Sequence, residues 1–191
     1  MCGITLFIGN DSSSNLESNR KYLLELSKKI RHRGPDWNGI YINEENKLAI
    51  MHERLSIVGV ENGSQPIIYD NKYILSVNGE IYNYKELYNS VLHNKYKPQT
   101  QSDCEVIIYL YKEFGEQCVK MLDGIFSFIL YDVENNKLFI ARDPIGVIPL
   151  YYGFNNNGKE NSNGNSNSIN NENICFSSEL KVLEDFNNCD I

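Results

Sequence analysis

The 191-residue sequence has no apolar run long enough to cross a membrane. It shows no basic segment followed by an apolar stretch near its start, so no signal peptide is expected. It also has no basic patch. With a formal net charge of −7, it lacks the clustered Lys and Arg that hold a phosphate backbone, and no nucleic-acid partner is expected. The five cysteines, Cys2, Cys104, Cys118, Cys175 and Cys189, are odd in number, and no two are spaced as metal ligands. No metal site is therefore expected. Three of them sit in apolar surroundings and read as small core residues. A reduced, intracellular protein, placed in the cytoplasm, is the simplest expectation. No G-x-x-x-x-G-K-[ST] phosphate loop is found either.

What is present suits one compact domain, with 41% hydrophobic residues to build a core. Cys2–Gly9 is short, apolar and rich in β-formers, and reads as a buried strand. Ser14 with Glu17 forms a candidate capping box, and Leu23, Leu26 and Ile30 mark one helical face that should stop before Gly34-Pro35. Strand-like runs follow near 38–42, 47–51 and 73–77. Asn83 with Glu86 and Ser102 with Glu105 are further helix starts, the second leading through Val106, Ile107, Leu110 and Phe114 to a stop at Gly115. Residues 125–131 and 137–141 are strongly apolar strands. The first is apolar on both faces, so both faces should be covered. Short strands at 150–152 and 174–176 flank residues 155–173, where ten of nineteen residues are asparagine. That tract has little to bury and is expected to be a disordered insertion in a hairpin loop. Few helices fall between strands, which points to an α+β fold of packed sheets with helices outside.

The chemistry centres on Cys2. A cysteine exposed by removal of Met1 carries a thiol, with a free pKa of about 8.5, and an α-amine with a pKa of about 7.7–8.0 on one carbon. The amine can take the thiol proton and later protonate a leaving amine, so nucleophile and base come in one residue. Acyl transfer from an amide also needs an oxyanion hole. Asn78 and Gly79 could supply it through a side-chain amide and a backbone N–H, although Asn-Gly is the commonest tight hairpin turn, and the pair taken alone favours the turn. Arg54 is either a two-pronged clamp for a substrate carboxylate or a surface arginine. Asp103 is either the partner of a substrate ammonium or an acid favoured by the helix N-terminus. Glu80 could assist it or be an ordinary strand residue. His32 and His52 read as structural hydrogen-bonding residues, and His93 as a surface one.

These pieces together resemble class II glutamine amidotransferase domains. Cys2-Gly3-Ile4, RHRGPDWNG (31–39), HERLSI (52–57), VNGEIYN (77–83), SDCEV (102–106), ARDPIGVIPLYYG (141–153) and FSSELK (176–181) occur in that family's order. HRGPDWNG and HERLSI are similar to the wording of asparagine synthetases. They differ from that of glucosamine-phosphate synthase and amidophosphoribosyltransferase. The resemblance covers 2–191 outside the Asn-rich tract. It implies the N-terminal nucleophile (Ntn) hydrolase fold, a four-layer αββα sandwich of antiparallel sheets. It implies hydrolysis of glutamine to glutamate and ammonia through a Cys2 thioester. Asn78 and Gly79 would hold the oxyanion, Arg54 the α-carboxylate and Asp103 the α-ammonium with help from Glu80. Backbone groups near Leu55 and Ile57 would line the pocket. No cofactor is implied in this domain. ATP and Mg2+ are expected only in a C-terminal synthetase domain of the same polypeptide, whose SGG-type loop this sequence lacks. There, ammonia would convert aspartate to asparagine. A homodimer is compatible with the resemblance. Two rivals stand beside this reading: the glutaminase domain of another class II amidotransferase, and a catalytically silent glutamine-binding regulatory module. Retained Met1 would produce the silent state by turning the Cys2 amine into an amide.

Overall fold

In the computed structural model of the chain, residues 1–9, 15–56, 63–156 and 172–187 are described. The strands β1 (Gly3–Ile8), β2 (Trp37–Asn43), β3 (Leu48–Arg54), β8 (Tyr151–Asn156) and β9 (Glu172–Ser177) form one sheet in the order β2-β3-β1-β9-β8. The strands β4 (Ile67–Tyr69), β5 (Tyr73–Ile81), β6 (Gly124–Asp132) and β7 (Lys137–Arg142) form a second sheet in sequence order. Every pairing is antiparallel.

Strand alternation sorts side chains into layers. Ile4, Leu6, Leu48, Ile50, Ile74, Ile129 and Tyr131 form one buried cluster drawn from both sheets, so these positions face the space between them. Their neighbours in sequence face outward. Phe7, Ala49, Met51 and Cys175 meet Leu23 and Leu26 of α1 (Arg20–Lys28) and Val182, Leu183 and Phe186 of α4 (Leu180–Asn187). Leu75, Val77, Phe126, Phe128 and Leu130 meet the apolar helix α3 (Val106–Phe114). The result is the expected αββα stack, with β6 covered on both faces.

Several local expectations change under tertiary contact. Ser14 lies outside the described residues, and the backbone N–H groups of Leu16 and Glu17 are taken instead by the Glu44 carboxylate. Asn83 does not cap. Its side chain accepts from Asp123 N and donates to Met121 O, and the short helix α2 (Tyr84–Glu86) relaxes into a π turn at Leu87–Val91. Ser102 does cap, accepting from Cys104 N at 3.3 Å. Glu105 leaves the box open because it takes Gln99 N, Thr100 N and Tyr109 OH. Gly115, at φ +57°, ends α3. Four residues of the tract expected to be disordered are paired in strands, Asn155 with Asn173 and Asn156 with Glu172 across β8 and β9; residues 157–171 lie outside the described ones. No helix among the described residues is long and apolar enough to cross a membrane.

Candidate active site

Cys2 sits one residue before β1 and is held from three sides. Ser178 clamps Ile4, its hydroxyl accepting from Ile4 N and its own N–H donating to Ile4 O, both at 3.0 Å. Arg33 Nε donates to Cys2 O at 2.9 Å. Leu55 N donates to Cys2 Sγ at 3.4 Å, and Sγ lies 3.7 Å from Leu55 O.

The RHRGPDWNG segment explains that placement. Its short 3₁₀ turn, Arg31–Arg33, packs against β3. A Cβ at Gly34 would stand 2.2 Å from Glu53 O, so only glycine allows this approach. Asp36 then braces the end of β3, donating its N–H to Arg54 O and accepting from Ser56 N at 2.8 Å. Arg33 is oriented by Glu179 at 3.1 Å, which also receives His32 and Lys181. Burial opposes charge on Glu179, but hydrogen bonds from Lys181, Arg33 and His32 outweigh it and bring its pKa to about 2.

Cys2, Arg54, Leu55, Gly79, Glu80 and Asp103 line one cavity enclosing about 590 Å³, part of it open to solvent. Met1 stands at its wall, half exposed. Asp103 is buried, with Oδ2 accepting from Ile81 N at 2.7 Å; its Oδ1 makes no hydrogen bond among the described residues. Arg54 is likewise buried, and Glu80 lies exposed. A buried guanidinium and a buried carboxylate thus face one cavity beside a thiol. Asn78 does not reach the cavity surface. It lies just behind it, fully buried, with neither Oδ1 nor Nδ2 hydrogen-bonded among the described residues. Both Asn78 and Gly79 are inside β5, paired with Ser127 and Phe126, which removes the tight-turn alternative. Gly79 has φ +146°, and a Cβ there would stand 2.1 Å from Ile125 O. Ile57 falls outside the described residues.

Burial raises the Cys2 thiol pKa, while the Leu55 N–H, the positive chain terminus, Arg54 and Arg33 pull against it without reversing it. The resting thiol therefore needs a base. His52 does not serve. Burial and the Arg54 charge push its pKa to about 3, and its Nδ1 contacts Ser76 Oγ at 2.9 Å. Burial, with the Asp103 charge, holds Cys104 protonated far above the ordinary thiol range. No three His, Cys, Asp or Glu side chains among the described residues converge to hold a metal ion.

The family profile described as the glutamine amidotransferase domain matches residues 1–191. The chain belongs to the glutamine amidotransferase domain family. It is 46% identical over 184 residues to the probable glutamine-hydrolysing asparagine synthetase of Schizosaccharomyces pombe, covering 96% of this chain and 30% of that protein. It is 44% identical over 186 residues to glutamine-hydrolysing asparagine synthetase 1 of Arabidopsis thaliana, covering 97% and 28%. This amidotransferase domain thus spans about 30% of the length of the curated relatives it matches. Among solved structures, the glutamine phosphoribosylpyrophosphate amidotransferase of B. subtilis superposes with a TM-score of 0.70 at 21% identity, covering 96% of this chain and 43% of that one. The fold is that of the Ntn amidotransferases.

The sequence reading missed several supports of the amidotransferase site. Arg33 lies inside the RHRGPDWNG motif but carries no local sign of a role; its partner Glu179 lies 146 residues away. Gln65, whose Oε1 accepts from Val77 N at 2.7 Å, carried no local signal. Asp143 folds the 141–153 motif by accepting from Val147 N and Ile148 N, which brings Ile148 to the cavity. Its conspicuous run of Gly and Pro neighbours could have marked that loop.

Proposed function

We propose that this domain hydrolyses glutamine to glutamate and ammonia. The observation that carries the reading is the single cavity in which Cys2 meets Arg54 and Asp103, residues drawn from three separate parts of the chain. Arg54 pairs with the glutamine α-carboxylate and Asp103 with its α-ammonium, which places the side-chain amide at Cys2 Sγ. Removal of Met1 frees the Cys2 α-amine and clears part of the cavity wall. The amine takes the Sγ proton, and the thiolate adds to the amide carbon. Asn78 and Gly79 bear the oxyanion charge. The ammonium returns its proton to the leaving nitrogen, ammonia departs, and a glutamyl thioester remains. Water, deprotonated by the same amine, releases glutamate and restores the thiol. This differs from a histidine-based thiol mechanism, and the neutral His52 bonded to Ser76 supports that difference.

The names of the relatives and their greater length support a larger role. The ammonia is delivered to a C-terminal synthetase domain of the same polypeptide, where ATP and Mg2+ drive aspartate to asparagine. With Met1 in place, the Cys2 nitrogen is an amide and the same cavity binds glutamine without turning it over.

Intact mass before and after treatment with diazo-oxo-norleucine tests the reading. A mass lacking Met1 with one adduct at Cys2 is expected. A processed, folded protein that neither takes label nor binds glutamine would sink it.

A further inference from the structure

The inter-sheet layer ends in a group of polar side chains of which the reaction as written uses only Asn78. His52 lies two residues beyond Ile50 on β3, Asn78 two beyond Ser76 on β5, and Ser127 two before Ile129 on β6. Alternation therefore points all of them into the same space between the sheets. Each is fully buried. His52 Nδ1 spans the two sheets to Ser76 Oγ at 2.9 Å. Asn78 and Ser127 are directly paired across β5 and β6, which puts their side chains in contact range. Four atoms in this group have no hydrogen bond among the described residues: His52 Nε2, Asn78 Oδ1, Asn78 Nδ2 and Ser127 Oγ. Buried polar atoms are almost always satisfied, and these four are chemically complementary. A carboxamide donates and accepts, a hydroxyl does both, and an imidazole nitrogen takes the role its tautomer allows.

The tautomer matters to the chemistry. If Ser76 O–H donates to Nδ1, His52 Nε2 carries the hydrogen and offers it to the interior. Asn78 then presents Oδ1 to His52 and turns Nδ2, a donor, towards Cys2, which lies on the same face two residues before Ile4. With the other tautomer the carboxamide would flip and turn an acceptor towards a developing negative charge. Only the first arrangement stabilises an oxyanion.

We propose that His52 is a positioning residue, whose Nε2–H is accepted by Asn78 Oδ1, directly or through one water, and holds the carboxamide in its donating orientation. The proposal rests on Asn78 serving as an oxyanion donor. Ser127 supplies the remaining partner of this polar site. Burial keeps the ring neutral throughout the working range, so the orientation does not change with pH.

The test combines a spectroscopic and a kinetic readout. Ring 15N–13C correlation on the processed protein, with the three histidines assigned by substitution, is expected to show His52 protonated at Nε2 and bare at Nδ1. His52→Asn, whose side chain ends near the Nδ1 position, should lower kcat about tenfold or more, with KM for glutamine changed less than about threefold. His52→Gln, which can place an N–H near the Nε2 position, should recover most of the loss. Circular dichroism melts show whether each variant is folded. An Nδ1–H tautomer would overturn the proposal. So would a folded His52→Asn enzyme with wild-type kcat, or a loss that His52→Gln does not repair. If the wild-type protein hydrolyses no glutamine, the hydrolase reading fails, and the tautomer still decides whether His52 orients Asn78.

Discussion

The two ends of the inter-sheet layer are built from the same strands and the same faces, yet they do opposite things. At one end, Ile4, Leu6, Leu48, Ile50, Ile74, Ile129 and Tyr131 pack as an apolar cluster. At the other end, the next positions along those strands are Cys2, His52, Arg54, Ser76, Asn78 and Ser127, nearly all buried and polar. Hydrophobic burial supplies the stability of the first end. The second end burdens the fold with polar groups away from water, a cost proteins tolerate where chemistry needs them. The alternation that makes the sandwich also delivers the site, because a one-residue slip of β3 or β5 would swing Arg54 or Asn78 to the helix-covered face.

Substitutions at the two ends should separate activity from stability. Cys2→Ala should abolish glutamine hydrolysis while leaving the thermal melt unchanged. Measurable turnover after the change would mean the nucleophile lies elsewhere. Asn78→Ala should lower kcat by about 10²–10³, seen in steady-state ammonia release. A loss below tenfold would show that Gly79 and other groups carry the oxyanion. Arg54→Ala should raise KM for glutamine roughly 10- to 100-fold through loss of a charge-assisted pair, with a smaller effect on kcat. Ile50→Val, at the apolar end, should reverse the pattern. It should cost about 0.5–1.5 kcal/mol in chemical denaturation and leave turnover per folded molecule intact.

The smallest effect concerns Glu179, outside the layer but tied through Arg33 to Cys2. Its folded pKa is depressed to about 2. Its stabilisation is therefore fully present above the ordinary carboxylate range and disappears as pH falls from about 4.5 through 2. Partial exposure and screening limit it to about 1 kcal/mol. Denaturation curves of wild type and Glu179→Gln should differ near neutrality and converge at low pH. A gap independent of pH would mean the contact is steric rather than ionic.

Much of this was legible in the sequence. Apolar runs located most of the strands, because buried strands need β-branched and aromatic side chains on both faces. The spacing of Leu23 and Leu26 located α1. Arg54 and Asp103 were marked by their motifs, and the structure brings both to the cavity. The Asn78-Gly79 pair was not decidable locally, because the same dipeptide suits a turn or a strained strand; its pairing with β6 decides it. The Arg33–Glu179 pair joins residues 146 apart in sequence, so no local pattern encodes it; β4 and Gln65 lie close in sequence to their partners in β5, but three strand residues and one side chain are too few to leave a periodic signal. Ser14 and Ile57, which the sequence reading also singled out, lie outside the described residues.

The Ser178 clamp on Ile4 has a consequence for how the chain is made. Its partners are 174 residues apart, and β1 takes its place in the sheet between β3 and β9. On the ribosome, β1 emerges before the domain's other described strands and β9 after them, and domains complete their packing only when their segments are available. For most of the synthesis of this domain, then, the strand that follows Cys2 has no second neighbour. Cys2 reaches its final position only when synthesis of this domain is nearly complete, so a chain released early could fold its second sheet and still have no place for its thiol.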